Sequence, residues 1–468
     1  MSQSLQAFKI ALLGQYNSSI IRFGIKKITN MDALILARIQ FAANISFHIL
    51  FPSTSIGLGW FLLFFKIKYT RTRDEAWFNA YKLWVKIFAL CFALGVVSGI
   101  TMSLQFGTNW PGFMEKVGNV AGPLLAYEVL TAFFLEATFL GIMLYGFKKV
   151  SNKIHTLSIF LVALGTTLSA FWIIALNSWM QTPSGFVIIG NKIHPANWLE
   201  IIFNPSMPYK FLHMILASFL MVAFLIAGIS AYCNLRDRST NAFHFYTLKA
   251  SIYTAAALIP LQIVIGDMHG LSSFKHQPAK IAAIEAIWED EKGADFRVFA
   301  IPNEEKKRND FEITIPHLSS ILLTHKLNGE VRGIKSFPYH PRVAPVFFTF
   351  RIMIGIGVLM LLVAWTITFC LLKNNYLSTL KLKVLTYMTF SGWIAILAGW
   401  YTTEIGRQPW VVYNLLLTKD AAAKTVSGGM IASSLTLYII TYSSLVIFFI
   451  ILIFYLARKS IYPKKEEV

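Results

Sequence analysis

The chain has 468 residues, 56% of them hydrophobic and 14% charged, with a formal net charge of +19 and a mean hydropathy of +0.57. Such a composition excludes a soluble globular domain and points to a polytopic membrane protein. The basic excess is no nucleic-acid footprint, because most Lys and Arg lie in short stretches between apolar spans, where they signal orientation in a bilayer.

Residues 1–30 form a basic extension with Lys9, Arg22, Lys26 and Lys27. It has neither the compact apolar core nor the small-residue cleavage site of a secretory signal. Met31 offers an equally good start, in which case the extension is absent from the mature chain.

Nine apolar stretches follow, near 40–65, 83–105, 122–147, 156–178, 210–233, 245–266, 346–372, 384–403 and 431–457. Each is long enough to cross about 30 Å of hydrocarbon. Basic clusters at Lys66 to Lys86, Lys148 to Lys153, Arg236 to Lys249, Lys373 to Lys383 and Arg458 to Lys465 fall on one side. The opposite short loops hold only Lys116, Lys192, Lys210, Arg407, Lys419 and Lys424. The positive-inside rule therefore places the C-terminus in the cytoplasm and the N-terminus outside. The expected fold is an all-α transmembrane bundle: spans one to six over 31–266, a polar outer loop over 267–345, and spans seven to nine with a short tail over 346–468. Within the loop, Lys280 to Trp288 has helical spacing, with Ile281, Ile284 and Trp288 on one stripe.

The third span contains two acids, Glu128 and Glu136. A charge at mid-membrane costs roughly 2.5–3.5 kcal/mol on insertion scales, so both must face protein, water or a cofactor. Eight residues of α-helix advance about 12 Å and turn roughly 80° past two full turns, so both can border one cavity at different depths. Other spans carry His48, His213, Arg351 with Met353, and Glu404. Taken singly, each has an ordinary explanation. A histidine can serve helix packing, Arg351 can snorkel, Glu404 and Arg407 can pair at the interface, and Trp393, Trp400, Tyr401 and Trp410 can form an aromatic belt. As a set they suit haem, because His and Met ligate low-spin iron while His or carboxylate can hold high-spin iron. Facing helices supply such ligands in a bundle. Cys91, Cys233 and Cys370 are far apart, and neither a disulfide nor a thiolate site is expected of them.

Gly399-Trp400 followed by Glu404-Ile405-Gly406-Arg407-Gln408-Pro409-Trp410 resembles the signature of subunit I of the cytochrome bd-type quinol oxidases. The resemblance continues through Arg38 to Phe41, His48 to Pro52, Phe106 to Trp110, Phe133 to Glu136, Lys210 to His213, Gly266-Asp267, Lys280 to Trp288 and Phe350 to Met353, in family order. It implies a quinol oxidase (ubiquinol the expected donor) of the bacterial inner membrane that reduces oxygen to water with cytoplasmic protons. His213 and Met353 would ligate a low-spin haem b, with Lys210 and Arg351 balancing its propionates and Arg407 also on the cofactor side. His48 and Glu404 would be ligands in a high-spin pair, haem b with haem d or a further haem b, and Glu128 would lie at the oxygen-reducing iron. Trp400 would sit between haems, Glu136 would feed protons, and Lys280 and Glu285 would shape the quinol site. The implied partners are a second membrane subunit and a small single-span subunit. The loop lacks the insertion of long-loop members, as in the cyanide-insensitive oxidases, and Ala137 stands where the family often has Ser. Intramembrane acids also mark transport paths, so a proton- or cation-coupled transporter is the alternative. Paired halves and broken helices would favour it.

Overall fold

The computed structural model describes residues 32–236 and 242–461. The extension over 1–30, Arg238 and the tail lysines Lys464 and Lys465 lie outside the described residues. Among the described residues, nine helices are long and apolar enough to cross a membrane. They are α1 (Ala33–Thr72), α2 (Glu75–Thr108), α3 (Pro111–Tyr145), α4 (Asn152–Gln181), α5 (Met207–Arg236) and α6 (Ala242–His276). After a short helix α7 (Pro278–Ile284) come α8 (Val343–Asn374), α9 (Thr379–Ile405) and α10 (Gly428–Ile461).

The ends follow local chemistry. Asp32 accepts from the Leu34 amide at 3.0 Å and Asp74 from the Ala76 amide at 2.9 Å, each satisfying a donor left free in the first helical turn. Arg73 closes α1 in the left-handed conformation at φ 58°. Pro260, inside α6, deprives the Ala256 carbonyl of its helical donor. Trp365 of α8 donates its indole N–H there at 3.1 Å, so the break becomes an interhelix tie.

The fifth span is the axle of the bundle. Of the most apolar stretch of α5, 72% is buried, against 17% for the same measure in α3, α8 and α10. Helix α5 packs on α1, α4, α6, α9 and α10. The outer helices turn apolar side chains such as Leu130, Leu362 and Ile451 outward, as lipid or a partner subunit requires. Close approach rests on small residues. An ideal Cβ on Gly392 of α9 would stand 2.5 Å from the Met221 Cα of α5.

Three boundaries differ from the sequence expectation. The third span begins at Pro111, so Gly122 and Pro123 lie inside it, and a π-helical turn over Val129–Phe133 interrupts it. The sixth span runs on through Asp267 to His276, which shortens the polar loop to 277–342. The loop helix stops at Ile284 because Ala286 takes φ 51°, and Trp288 returns to the core by a turn.

The loop carries two antiparallel pairs, β1 (Glu291–Lys292) with β4 (Glu330–Val331), and β2 (Phe296–Asn303) with β3 (Arg308–Ile315). A side chain of the β2–β3 turn caps α8: Glu304 Oε1 accepts from the Val343 amide at 2.6 Å and from Ala344 at 3.2 Å. Gly392→Ala should lower the thermal midpoint of the solubilised protein, overpacking of this kind costing about 1–3 kcal/mol. Gly141→Ala, where a Cβ meets open space, should not. Equal effects from the two would show that helix approach is not what Gly392 provides.

Candidate functional site

Three buried cations meet one carboxylate where α4, α5, α7 and α9 converge. Glu404, on the last turn of α9, pairs with Arg407 and accepts from Asn177 Nδ2 at 2.9 Å and Gln181 Nε2 at 3.3 Å. Lys210 Nζ, on the first turn of α5, donates to Asn177 Oδ1 at 3.3 Å. Lys280 Nζ of α7 donates to Gln181 Oε1 at 2.7 Å. Gly406 makes room for the Lys280 stem, since a Cβ there would lie 2.8 Å from Lys280 Cγ. Lys210, Lys280 and Arg407 are each at least 93% buried, and Nε and Nη1 of Arg407 have no partner. Burial, with Lys210 and Arg407 nearby, pulls the Lys280 ammonium well below its ordinary range, against the opposing charge of Glu404. Burial likewise lowers Arg407, opposed by Glu404. Such a positive cluster is costly without further anions to share it.

A second polar centre lies at the other end of α7. Glu285, at the helix C-cap, pairs with Arg351 Nη2 at 2.9 Å and accepts from Ser319 Oγ at 3.0 Å. Arg351 Nε donates to the Arg297 carbonyl at 2.7 Å, its guanidinium lies 4.4 Å from the Phe296 ring centroid and 4.6 Å from that of Phe347, and Nη1 is unpartnered. The residues are thereby regrouped relative to the sequence reading. Lys280 stands with Lys210, and Glu285 stands with Arg351, because the two turns of α7 aim its two ends at different helices.

His48, His213 and Met353 share one environment: each faces a glycine of a neighbouring helix. An ideal Cβ on Gly266 of α6 would be 3.3 Å from His213 Cε1, and one on Gly99 of α2 would be 3.3 Å from His48 Cε1. One on Gly399 of α9 would be 2.8 Å from Met353 Sδ. His213 Nε2 lies 3.1 Å from Gln262 Nε2, its ring meets that of His269 edge-on at 5.7 Å, and its Nδ1 is unpartnered. His48 Nδ1 lies 3.0 Å from Ser98 Oγ, and Pro52 leaves the His48 carbonyl without its helical donor. Trp400, next to Gly399, packs partly buried against the main core. Its neighbour Tyr401 ties α9 to α1 through Ser46 at 2.6 Å.

The two acids of α3 face α4. Glu128 accepts from Ser169 Oγ at 2.7 Å. Glu136 is buried, its Oε1 has no partner, and its Cγ would be 2.5 Å from a Cβ on Gly165. The π turn between them absorbs one extra residue. Eight residues then act as seven, about 20° short of two full turns, and the acids come to lie on nearly one face instead of some 80° apart.

Sequence reasoning missed Asn177, Gln181, Gln262, His269, Ser169, Ser319 and Arg297. For Asn177 and Gln181 a signal existed: amides four residues apart in an apolar helix share a face.

The profile of the family described as "Cytochrome bd terminal oxidase subunit I" matches residues 36–461. The chain is 35% identical to the Cytochrome bd ubiquinol oxidase subunit 1 of Bacillus subtilis (strain 168), over 88% of this chain and 91% of that one. It is 33% identical to the Cytochrome bd-II ubiquinol oxidase subunit 1 of Escherichia coli (strain K12), over 88% and 94%. A solved structure of bd oxidase from Geobacillus thermodenitrificans superposes with a TM-score of 0.85 at 28% identity, covering 92% of this chain and 99% of that one. A nine-span bundle that buries cations and carboxylates among its helices, matched by this profile over most of its length, belongs to the cytochrome bd terminal oxidase subunit I family.

Proposed function

We propose that the chain is the haem-carrying subunit of a quinol:oxygen oxidoreductase in a bacterial respiratory chain, oxidising quinol, ubiquinol being the donor we favour, and reducing oxygen to water. Membership of an oxidase family displaces the transporter alternative. One observation carries the assignment of residues: three buried cations share a single carboxylate, and two guanidinium nitrogens of Arg407 stay unpartnered. Two haem propionates would supply the missing negative charge and accept charge-assisted hydrogen bonds from the free Arg407 nitrogens. The glycines opposite His48, His213 and Met353 let those three side chains lie close against neighbouring helices, where any Cβ would crowd them. Among the described residues no three His, Cys, Asp or Glu gather as a metal site.

When bound, the haems supply one-electron transfer and oxygen activation. His213 and Met353 would hold the low-spin haem b, and Lys210, Lys280 and Arg407 would balance propionate charge. His48, Glu404 and Glu128 would serve the high-spin pair, haem b with haem d or a further haem b. Trp400 would pack between them. Glu285, oriented by Arg351 and Ser319, would accept the quinol hydroxyl proton, with Lys280 on the far side of α7. Glu136 would take protons from the cytoplasmic side and pass them along the shared face of α3 to Glu128. Outer-face quinol oxidation, the inner-membrane location, a subunit II against the exposed spans and a small single-span subunit complete the proposal.

His213→Ala or Met353→Leu should abolish the low-spin haem band in the dithionite-reduced absorption spectrum of the purified complex; an unchanged band would refute the ligand assignment. Glu285→Gln should slow quinol oxidation at least about tenfold, roughly 1.4 kcal/mol of transition-state stabilisation, with every haem band retained. Loss of haem instead would make Glu285 structural. Glu128→Ala should alter the high-spin spectrum, whereas Glu136→Leu should leave spectra intact and slow turnover. Indistinguishable spectra and rates for these two variants would dissolve the division of labour.

A further inference from the structure

Helices α1 and α2 meet along a polar seam inside the bundle. On α2, Ser98, Thr101 and Gln105, with Asn109 at the C-cap, fall within about an 80° arc of the helix. On α1, Gln40, Asn44 and His48 recur every fourth residue and share a face in the same way. The two stripes are joined by rungs. Asn109 Nδ2 donates to Gln40 Oε1 at 2.6 Å, and Gln40 Nε2 to Ser434 Oγ of α10 at 2.8 Å. Deeper in, Asn44 Oδ1 accepts from Thr101 Oγ1 at 3.3 Å and from the Tyr442 hydroxyl of α10 at 2.8 Å. The last rung sets Ser98 Oγ 3.0 Å from His48 Nδ1. From Asn109 to Ser98 the seam covers about 16 Å of helix rise.

Between the first two rungs the ladder is incomplete. Gln105 is 2% exposed, and neither its Oε1 nor its Nε2 has a partner in the protein. Asn44 Nδ2 and Trp110 Nε1, also buried, are unpartnered as well. Bare amides in an apolar interior are costly, and the usual remedy is a buried water that bonds to several such groups at once. The seam has an opening through which water can come and go. At its Asn109 end lies a cavity of about 150 Å³ whose lining includes Asp32, Asn109, Lys419 and Lys424. At its other end is His48, and oxygen reduction at the high-spin pair yields water that must leave a bundle otherwise walled with apolar side chains.

We propose that the α1–α2 seam is a hydrated path, its waters held by Gln105, Asn44 and Trp110, along which product water leaves the oxygen-reducing site for the cavity at Asn109. The proposal rests on the oxidase reading and on His48 belonging to the high-spin pair. The test is radiolytic footprinting of the purified, haem-loaded complex, in which hydroxyl radicals formed from bound water mark the side chains beside it, read by mass spectrometry alongside turnover. Tyr442, only 8% exposed, should be oxidised in the wild type. Gln105→Leu should abolish that mark and slow turnover severalfold with every haem band retained. Thr101→Val, which keeps the shape and removes one hydroxyl of the seam, should act in the same direction and serves if Gln105→Leu does not assemble. Ser433→Ala, on the exposed side of α10, should change neither reading. An unmarked Tyr442 in the wild type would make the seam a dry packing ladder, and loss of the mark without slower turnover would make it a structural water site; either overturns the proposal. Marking does not depend on catalysis, so a marked Tyr442 in a haem-loaded complex that reduces no oxygen would sink the oxidase reading instead.

Discussion

Burying charge inside a bundle that faces hydrocarbon is the constraint on which the rest depends. Lys210, Lys280 and Arg407 are nearly inaccessible, yet Glu404 is the single carboxylate among them. Such a group is tolerated only where hydrogen bonds and counter-charge are supplied. Asn177 and Gln181 provide part of that network from α4, and Glu404 accepts from both. The remaining positive charge is the best physical argument for an acidic cofactor, since an orphaned guanidinium in an apolar interior is otherwise hard to sustain.

Helix geometry answers that constraint with small departures from regularity. Glycines at 99, 266 and 399 sit opposite His48, His213 and Met353, where any Cβ would crowd the ligand-competent atoms. The π turn of α3 rotates Glu136 back towards the face of Glu128. Proline at 52 opens the hydrogen-bond ladder at His48 itself. These departures fall beside the proposed site, although others, at Pro260 in α6 and between Tyr387 and Ser391 in α9, lie elsewhere in the bundle. A bundle built for packing alone would gain nothing from them.

The polar loop is more than a connector. Helix α7 separates two polar centres by directing Lys280 to one and Glu285 to the other. The β2–β3 hairpin then braces Arg351 from its inner face and caps α8 from its tip. The two polar centres are thereby linked through a seven-residue helix. That coupling is short enough for the two centres to influence each other electrostatically.

Much of the fold was legible in the sequence because apolar length is a physical requirement for crossing a bilayer, and all nine spans were found in order. The acids and the histidines stood out for the same reason, since each is expensive in hydrocarbon, whereas Met353 stood out only as a ligand type that pairs with His on a haem. Motif spacing added the family. What the chain pattern could not decide was which side chains meet across helices. The pairing of Glu285 with Arg351 and of Lys280 with Lys210 depends on how α7 packs. The common face of Glu128 and Glu136 depends on one π turn that no residue pattern announces, and the partners Asn177, Gln181 and Gln262 are set by interhelix contact. Local sequence sets the length, polarity and ends of a helix, whereas rotation and neighbours are set by packing, and the site was made by the latter.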